Sequence, residues 1–128
     1  RGGYILSGSK AEPQVLLLAS GSEVGQIMQA EEMLWQQGID ARVVSMPCFK
    51  LFDAQPAEYR ESVLPGNVRA RVSMEAGVTQ PWFKYVGLDG VAIGIDRYGA
   101  SGKYSDLFPL FGITADHVVE EARRVLGK

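Results

Sequence analysis

Ser20-Gly21-Ser22 lies between an apolar run and a helical pattern, where backbone amides can be presented to an anion. The glycines fall at 21 and 25, a spacing that fits neither a P-loop nor the dinucleotide fingerprint. Glu23 adds a carboxylate to the first helical turn, where it repels phosphate but serves a cap. Ser20 and Glu23 have capping-box spacing, so the capping reading outweighs anion binding. Gly99-Ala-Ser-Gly-Lys103 echoes the end of a Walker sequence, but lacks its first glycine at the right distance and a helix directly after. Leu88-Asp89-Gly90 touches the Gly-Asp-Gly opening of a metal-diphosphate motif; its first residue is Leu, and it runs into a strand rather than toward paired asparagines. His117 is the single imidazole, placed in the first turn of the last helical pattern, where a solvated or supporting role outweighs base catalysis. Cys48 follows Pro47 with that histidine far away in sequence, so it reads as a small buried hydrophobe rather than a nucleophile. Pro81-Trp-Phe-Lys-Tyr85 could stack bases, but without a basic field it reads as core or interface packing. Asp96-Arg97 reads equally as an ion pair shaping its loop or as an intersubunit contact.

The totals narrow the classes. One domain of 128 residues suffices to bury a real core, and 46% hydrophobic with 22% charged residues is an ordinary globular balance. A net charge of −2 gives no basic excess to displace counterions, which argues against nucleic acid as a partner. No apolar run approaches the length of a membrane-spanning helix, so no membrane role is expected. One cysteine excludes an internal disulfide framework and fits a reducing compartment; one cysteine with one histidine cannot assemble the commonest zinc sites. The chain opens on Arg1-Gly-Gly rather than Met, as a cut through a longer polypeptide would.

These groups need a scaffold, and its nucleus is Val15 to Met46. Val15 to Ala19 is an unbroken apolar run fit for a strand covered on both faces. From Val24 the apolar positions Ile27, Met28, Leu34 and Trp35 keep a helical period, and Gly38 supplies the stop. Ala41 to Met46 is the next strand, ended by Pro47. Strand, helix and strand make one right-handed βαβ unit with parallel strands, which commits the domain to three layers.

Around this unit the chain predicts further elements. Tyr4 to Ser7 is a strand whose short link to Val15, through Gly8, Lys10 and Pro13, rules out a parallel crossover between the two. Phe49 to Phe52 is a short apolar loop or single turn, and Gln55 to Leu64 a helix with Pro56 at its first position. Val68 to Glu75 alternates as a third parallel strand. Pro81 opens a short aromatic helix, and Val91 to Ile95 is the last strand. Asp96 to Lys103 is a loop, Tyr104 to Phe111 a helical stretch interrupted by Pro109, and Thr114 caps the final helix.

Four stretches, read in order, resemble the carboxy-terminal domain of transketolase. They are Leu18-Ala-Ser-Gly-Ser-Glu-Val24; Val43-Val-Ser-Met-Pro47 with Phe52-Asp53 and Gln55; Glu75-Ala-Gly77 with Trp82 to Gly87; and Gly94-Ile-Asp-Arg-Tyr-Gly-Ala-Ser101. Phe111-Gly112 and Thr114 continue the likeness, which covers nearly the whole chain. It departs after Ser101, where Gly102-Lys103 replaces the family's Ala-Pro.

The resemblance implies a single α/β domain over residues 1–128, three-layer α/β/α, a piece of a longer chain. Its five-stranded mixed, mostly parallel sheet has order 1-3-2-4-5 with strand 1 antiparallel. It implies a parent transferase that moves a two-carbon ketol unit between sugar phosphates in the pentose phosphate pathway. That enzyme uses thiamine diphosphate and a divalent metal, magnesium or calcium, held by the preceding domains. Expected partners are those domains and a second copy in a homodimer. The expected location is the cytoplasm, with a plastid left open.

No catalytic, cofactor-binding or metal-binding residue is expected in this chain, which is then a non-catalytic structural and dimer-supporting module. Two other readings are a regulatory module for a small anion or nucleotide and the equivalent domain of another thiamine diphosphate enzyme. In the implied strand order the topological switch lies between the strands ending at Ser20 and Glu75. The candidate ligand or interface residues are therefore Ser20, Gly21, Ser22, Glu75 and Gly77, together with Asp96 and Arg97.

Overall fold

The computed structural model describes residues 2–8, 12–75, 79–94 and 114–127. Five strands form one sheet in the order β1-β3-β2-β4-β5: β1 Tyr4–Ser7, β2 Val15–Ala19, β3 Ala41–Ser45, β4 Arg71–Met74 and β5 Val91–Ile93. β2 pairs in parallel with both β3 and β4, β4 with β5, and β1 runs antiparallel to β3. This is the expected order, and β1 bypasses β2 to close on β3.

Every residue of β2 is buried, because alternate side chains feed two different cores. Val15, Leu17 and Ala19 pack under helix α1 (Val24–Gln36) and helix α5 (Ala115–Leu126) with Ile27, Leu34, Val72 and Val118. Leu16 and Leu18 face the other way, toward Val44, Phe52, Val63 and Trp82 on the side of α2 (Phe49–Asp53), α3 (Ala57–Val63) and α4 (Phe83–Val86). The three layers follow from a strand with no polar face.

The ends of α1 and α5 are built from the residues the sequence marks. Gly38 adopts φ +79°, and the amides of Gly38 and Ile39 donate to the carbonyls of Trp35 and Leu34, closing the last turn of α1. Thr114 Oγ1 accepts the His117 amide at 3.2 Å, and Arg123 and Arg124 sit in the last turn of α5.

Several local expectations change. Trp35 is 60% exposed rather than part of the buried stripe, since α1 buries Ile27, Ala30 and Leu34 and the indole lies off that face. Pro56 is the cap residue before α3 rather than its first helical position, and Phe49 to Asp53 forms a genuine short helix. β4 starts only at Arg71, because the Val68 amide turns back to the carbonyl of Pro65. Cys48 is half-buried at the start of α2, where its amide holds the Gly2 carbonyl. Tyr104 to Phe111, and the end of the last strand at Ile95, lie outside the described residues.

Two arginines fasten the α3–β4 connection to the sheet. Arg71 donates from Nε to the Val68 carbonyl, from Nη1 to Tyr85 at 2.6 Å and from Nη2 to Pro65 at 2.8 Å. Arg42, buried on β3, reaches the carbonyls of Ser62 and Val63 at the end of α3. Burial lowers the pKa of both guanidiniums, which stay charged while satisfying carbonyls that the helix end leaves open.

Candidate functional site

β2 and β4 are neighbours whose connections leave in opposite directions across the sheet, so the topological switch point, where open α/β sheets favour a crevice, lies beyond Ala19 and Met74. Ser20 and Glu75 are the first residues past those strand ends. Ser20 Oγ donates to Glu75 Oε2 at 2.7 Å, and Trp82 Nε1 donates to Glu75 Oε1 at 3.0 Å. The Glu75 amide donates to the Ile93 carbonyl at 3.1 Å, which ties the same residue to β5. One carboxylate thus joins the turn after β2, the end of β4 and the aromatic turn before α4.

The capping box does not form. Ser20 is the cap residue of a 3-10 turn, Gly21–Glu23, in extended conformation (φ −141°), yet its side chain makes no cap hydrogen bond. The hydroxyl instead points its O–H at the Glu75 carboxylate, and in that orientation its lone pairs accept no cap bond from the turn. Gly21 takes φ +66°, a left-handed conformation that the turn imposes. Glu23 is buried behind it, so carboxylates at 23 and 75 flank the turn. That arrangement opposes phosphate binding there.

Of the sequence-marked residues, the structure brings together Ser20 and Glu75 directly, with Gly21 and the backbone of Ser22 beside them. Gly77, Asp96 and Arg97 lie outside the described residues. Trp82, which the sequence presents only as core or interface packing, completes this group. A buried indole needs an acceptor, but nothing in the sequence says which carboxylate supplies it. His117 is 35% exposed with Nε2 3.7 Å from Glu121 Oε1, on the far face of the fold from Cys48. Asp89 pairs with Arg69 at 2.6 Å. Among the described residues no three or more His, Cys, Asp or Glu are grouped as metal ligands would be, and no helix is long and apolar enough to cross a membrane.

A cleft opens between α2, α3 and α4, with a volume of about 270 Å³. Asp53 lies in it, accepting from Lys84 Nζ at 2.8 Å and from Tyr85 Oη at 2.9 Å. The Lys84 bond holds the Asp53 carboxyl below the usual aspartate range. Burial, and then Asp53 itself, push the Tyr85 phenol well above its ordinary value, so it serves as a donor rather than a base. Phe49 stacks on Tyr85 at 4.9 Å and meets Trp82 edge-on at 4.8 Å, which links this cleft to the crevice.

Comparison with known proteins identifies this arrangement. A family model described as the transketolase-like TK C-terminal domain matches residues 2–114. Transketolase 2 of Escherichia coli (strain K12) is 51% identical over 127 residues, covering 99% of this chain and 19% of that protein. A transketolase structure from Leishmania mexicana superposes with a TM-score of 0.88 at 40% identity, covering 98% of this chain and 18% of that one. One from Pichia stipitis, in complex with sedoheptulose 7-phosphate, gives 0.87 at 39% identity, covering 98% and 18%. With order, topology and sequence in agreement from Gly2 to Thr114, the chain belongs to the transketolase family and corresponds to its C-terminal domain.

Proposed function

We propose that this chain is the non-catalytic structural and dimer-supporting C-terminal domain of a cytoplasmic transketolase. The enzyme would be a homodimer that transfers a two-carbon ketol unit between sugar phosphates in the pentose phosphate pathway. The chain spans 19% of the length of the Escherichia coli relative, and the Pichia stipitis relative is described with a sugar phosphate bound; both support a module within a larger sugar-phosphate enzyme. In this reading the whole chain is one domain of a longer polypeptide, and its partners are the other domains and a second copy.

One observation carries the non-catalytic role. At the crevice where an open α/β sheet favours a ligand, both Glu75 oxygens are already bonded to Ser20 and Trp82. The crevice residues, with Gly77, Asp96 and Arg97, then serve packing against the rest of the enzyme rather than chemistry.

Thiamine diphosphate with magnesium or calcium would supply the carbanion chemistry of the parent enzyme. The described residues do not fit that group: Asp89, its one motif-like ligand, is paired with Arg69, and no oxygen-rich cluster stands near it. The cofactor is therefore assigned to the other domains, and no step is routed through it here.

Isothermal titration of this chain with thiamine diphosphate and magnesium tests the assignment. No specific heat at micromolar concentrations is expected, and tight metal-dependent binding would overturn it. Sedimentation of a complete transketolase with and without this domain tests the dimer role. An unchanged dimer constant would remove it.

A further inference from the structure

The cleft between α2, α3 and α4 has an electrostatic character opposite to that of the switch-point crevice. It is lined by three cations, Arg60, Arg71 and Lys84, and two carboxylates, Asp53 and Glu61. The carboxylates are engaged: Asp53 by Lys84 and Tyr85, and Glu61 Oε2 by the Gly66 amide at 2.7 Å. The cations keep donors in reserve. Arg60 uses Nε on the Gln55 carbonyl at 3.1 Å and feels the Asp53 charge, but among the described residues no hydrogen bond engages its Nη groups. Lys84 spends one of three ammonium hydrogens on Asp53, and Arg71 uses Nη1 once, on Tyr85. Arg71 and the floor of the cleft are held rigid by their carbonyl partners, so little ordering accompanies binding there. The apolar sides of Ala57, Leu64 and Phe52 complete the wall.

A formal excess of one positive charge, spare planar guanidinium donors and a volume of about 270 Å³ suit a compact dianion with a short organic body. We propose that this cleft binds a small phosphorylated molecule. Its phosphate would lie against Arg60 and Lys84, with Arg71 behind, and its carbon skeleton against Leu64 and Phe52. The site is independent of the structural role proposed above, and neither Ser20, Glu75 nor Trp82 lines it. Inorganic phosphate shares the headgroup chemistry, so the test carries both probes.

Amide chemical-shift titration of the chain with inorganic phosphate, and separately with glycerol 2-phosphate, reads the site directly. Saturable shifts are expected at Ala57, Lys84 and Tyr85, weakening as salt is added. Tighter binding of glycerol 2-phosphate identifies an organic phosphate, and equal binding identifies free phosphate; either supports the cleft. Arg60→Gln should weaken binding about tenfold, as loss of a charged hydrogen bond does. Lys84→Met is the second variant should Arg60→Gln disturb α3, and a smaller loss is expected from it. Non-saturating shifts, affinity unchanged in both variants, or shifts confined to residues 20–22 would each overturn the proposal.

Discussion

Two polar regions share one aromatic cluster and differ in what their charges do. At the switch-point crevice a carboxylate, Glu75, meets two neutral donors, Ser20 and Trp82, and is used up in joining β2, β4 and the turn before α4. In the cleft below α3 the carboxylates also have partners within the chain, and cations with spare donors stand beside them. In the first region each carboxylate oxygen already has a partner from its own chain; in the second, donors on the cations are left over. The same kind of acid therefore acts as a latch in one place and as a counterweight in the other.

Trp82 gives the hardest test of the latch. Trp82→Ala should cost about 3–5 kcal/mol, because it empties a buried site and removes the Glu75 donor together. Trp82→Phe keeps most of the volume and should cost about 1–2 kcal/mol, the share due to the lost indole donor. Urea melts that find the two variants equal would reduce the latch to packing.

Leu17→Ala provides the scale for both regions, since Leu17 lies in the buried central strand and touches neither. It should cost about 2–5 kcal/mol through lost transfer energy and a cavity. A cost below that of Asp53→Asn would undo the assignment of the core.

On the cleft side, Asp53→Asn should cost about 1 kcal/mol, a charged hydrogen bond discounted for a carboxylate one-third exposed to solvent. Its pH dependence has a definite sign. The folded pKa is depressed, so the contribution is present above the unfolded value of about 3.9 and is lost as pH falls through the lower folded value. Acid melts of Asp53→Asn should therefore lack that part of the decline, and a parallel decline would remove the carboxylate from the account.

The smallest effect is expected far from both. His117→Ala should change stability by no more than about 0.5 kcal/mol, because the ring is partly solvated and 3.7 Å from Glu121. The hydrogen bond from its backbone amide to Thr114 Oγ1 does not involve the ring, so the substitution leaves it in place. A larger loss in urea would give the imidazole a structural part.

The sequence determined the layered α/β architecture on local grounds. An unbroken apolar run at Val15 to Ala19 demands cover on both faces, Gly38 ends a helix cheaply, and Thr114 with Asp116 and Arg123 marks the limits of α5. These features act within a few residues, so periodicity and composition reveal them. Resemblance to a family supplied the strand order, and with it the meeting of the ends of β2 and β4.

Only the tertiary structure decided where the polar groups go. Ser20 has a local partner three residues on and a distant one 55 residues away, and the distant carboxylate wins. No pattern along the chain expresses that choice, because the carboxylate becomes an acceptor for the Ser20 O–H only once the sheet has placed it within reach. Trp35 and Trp82 look alike on paper, yet one is 60% exposed and the other 1%, since helix rotation and the depth of the aromatic cluster are set by packing. Arg60, Arg71 and Lys84 share a cleft for the same reason: three separate elements deliver them, and the sheet sets where those elements sit.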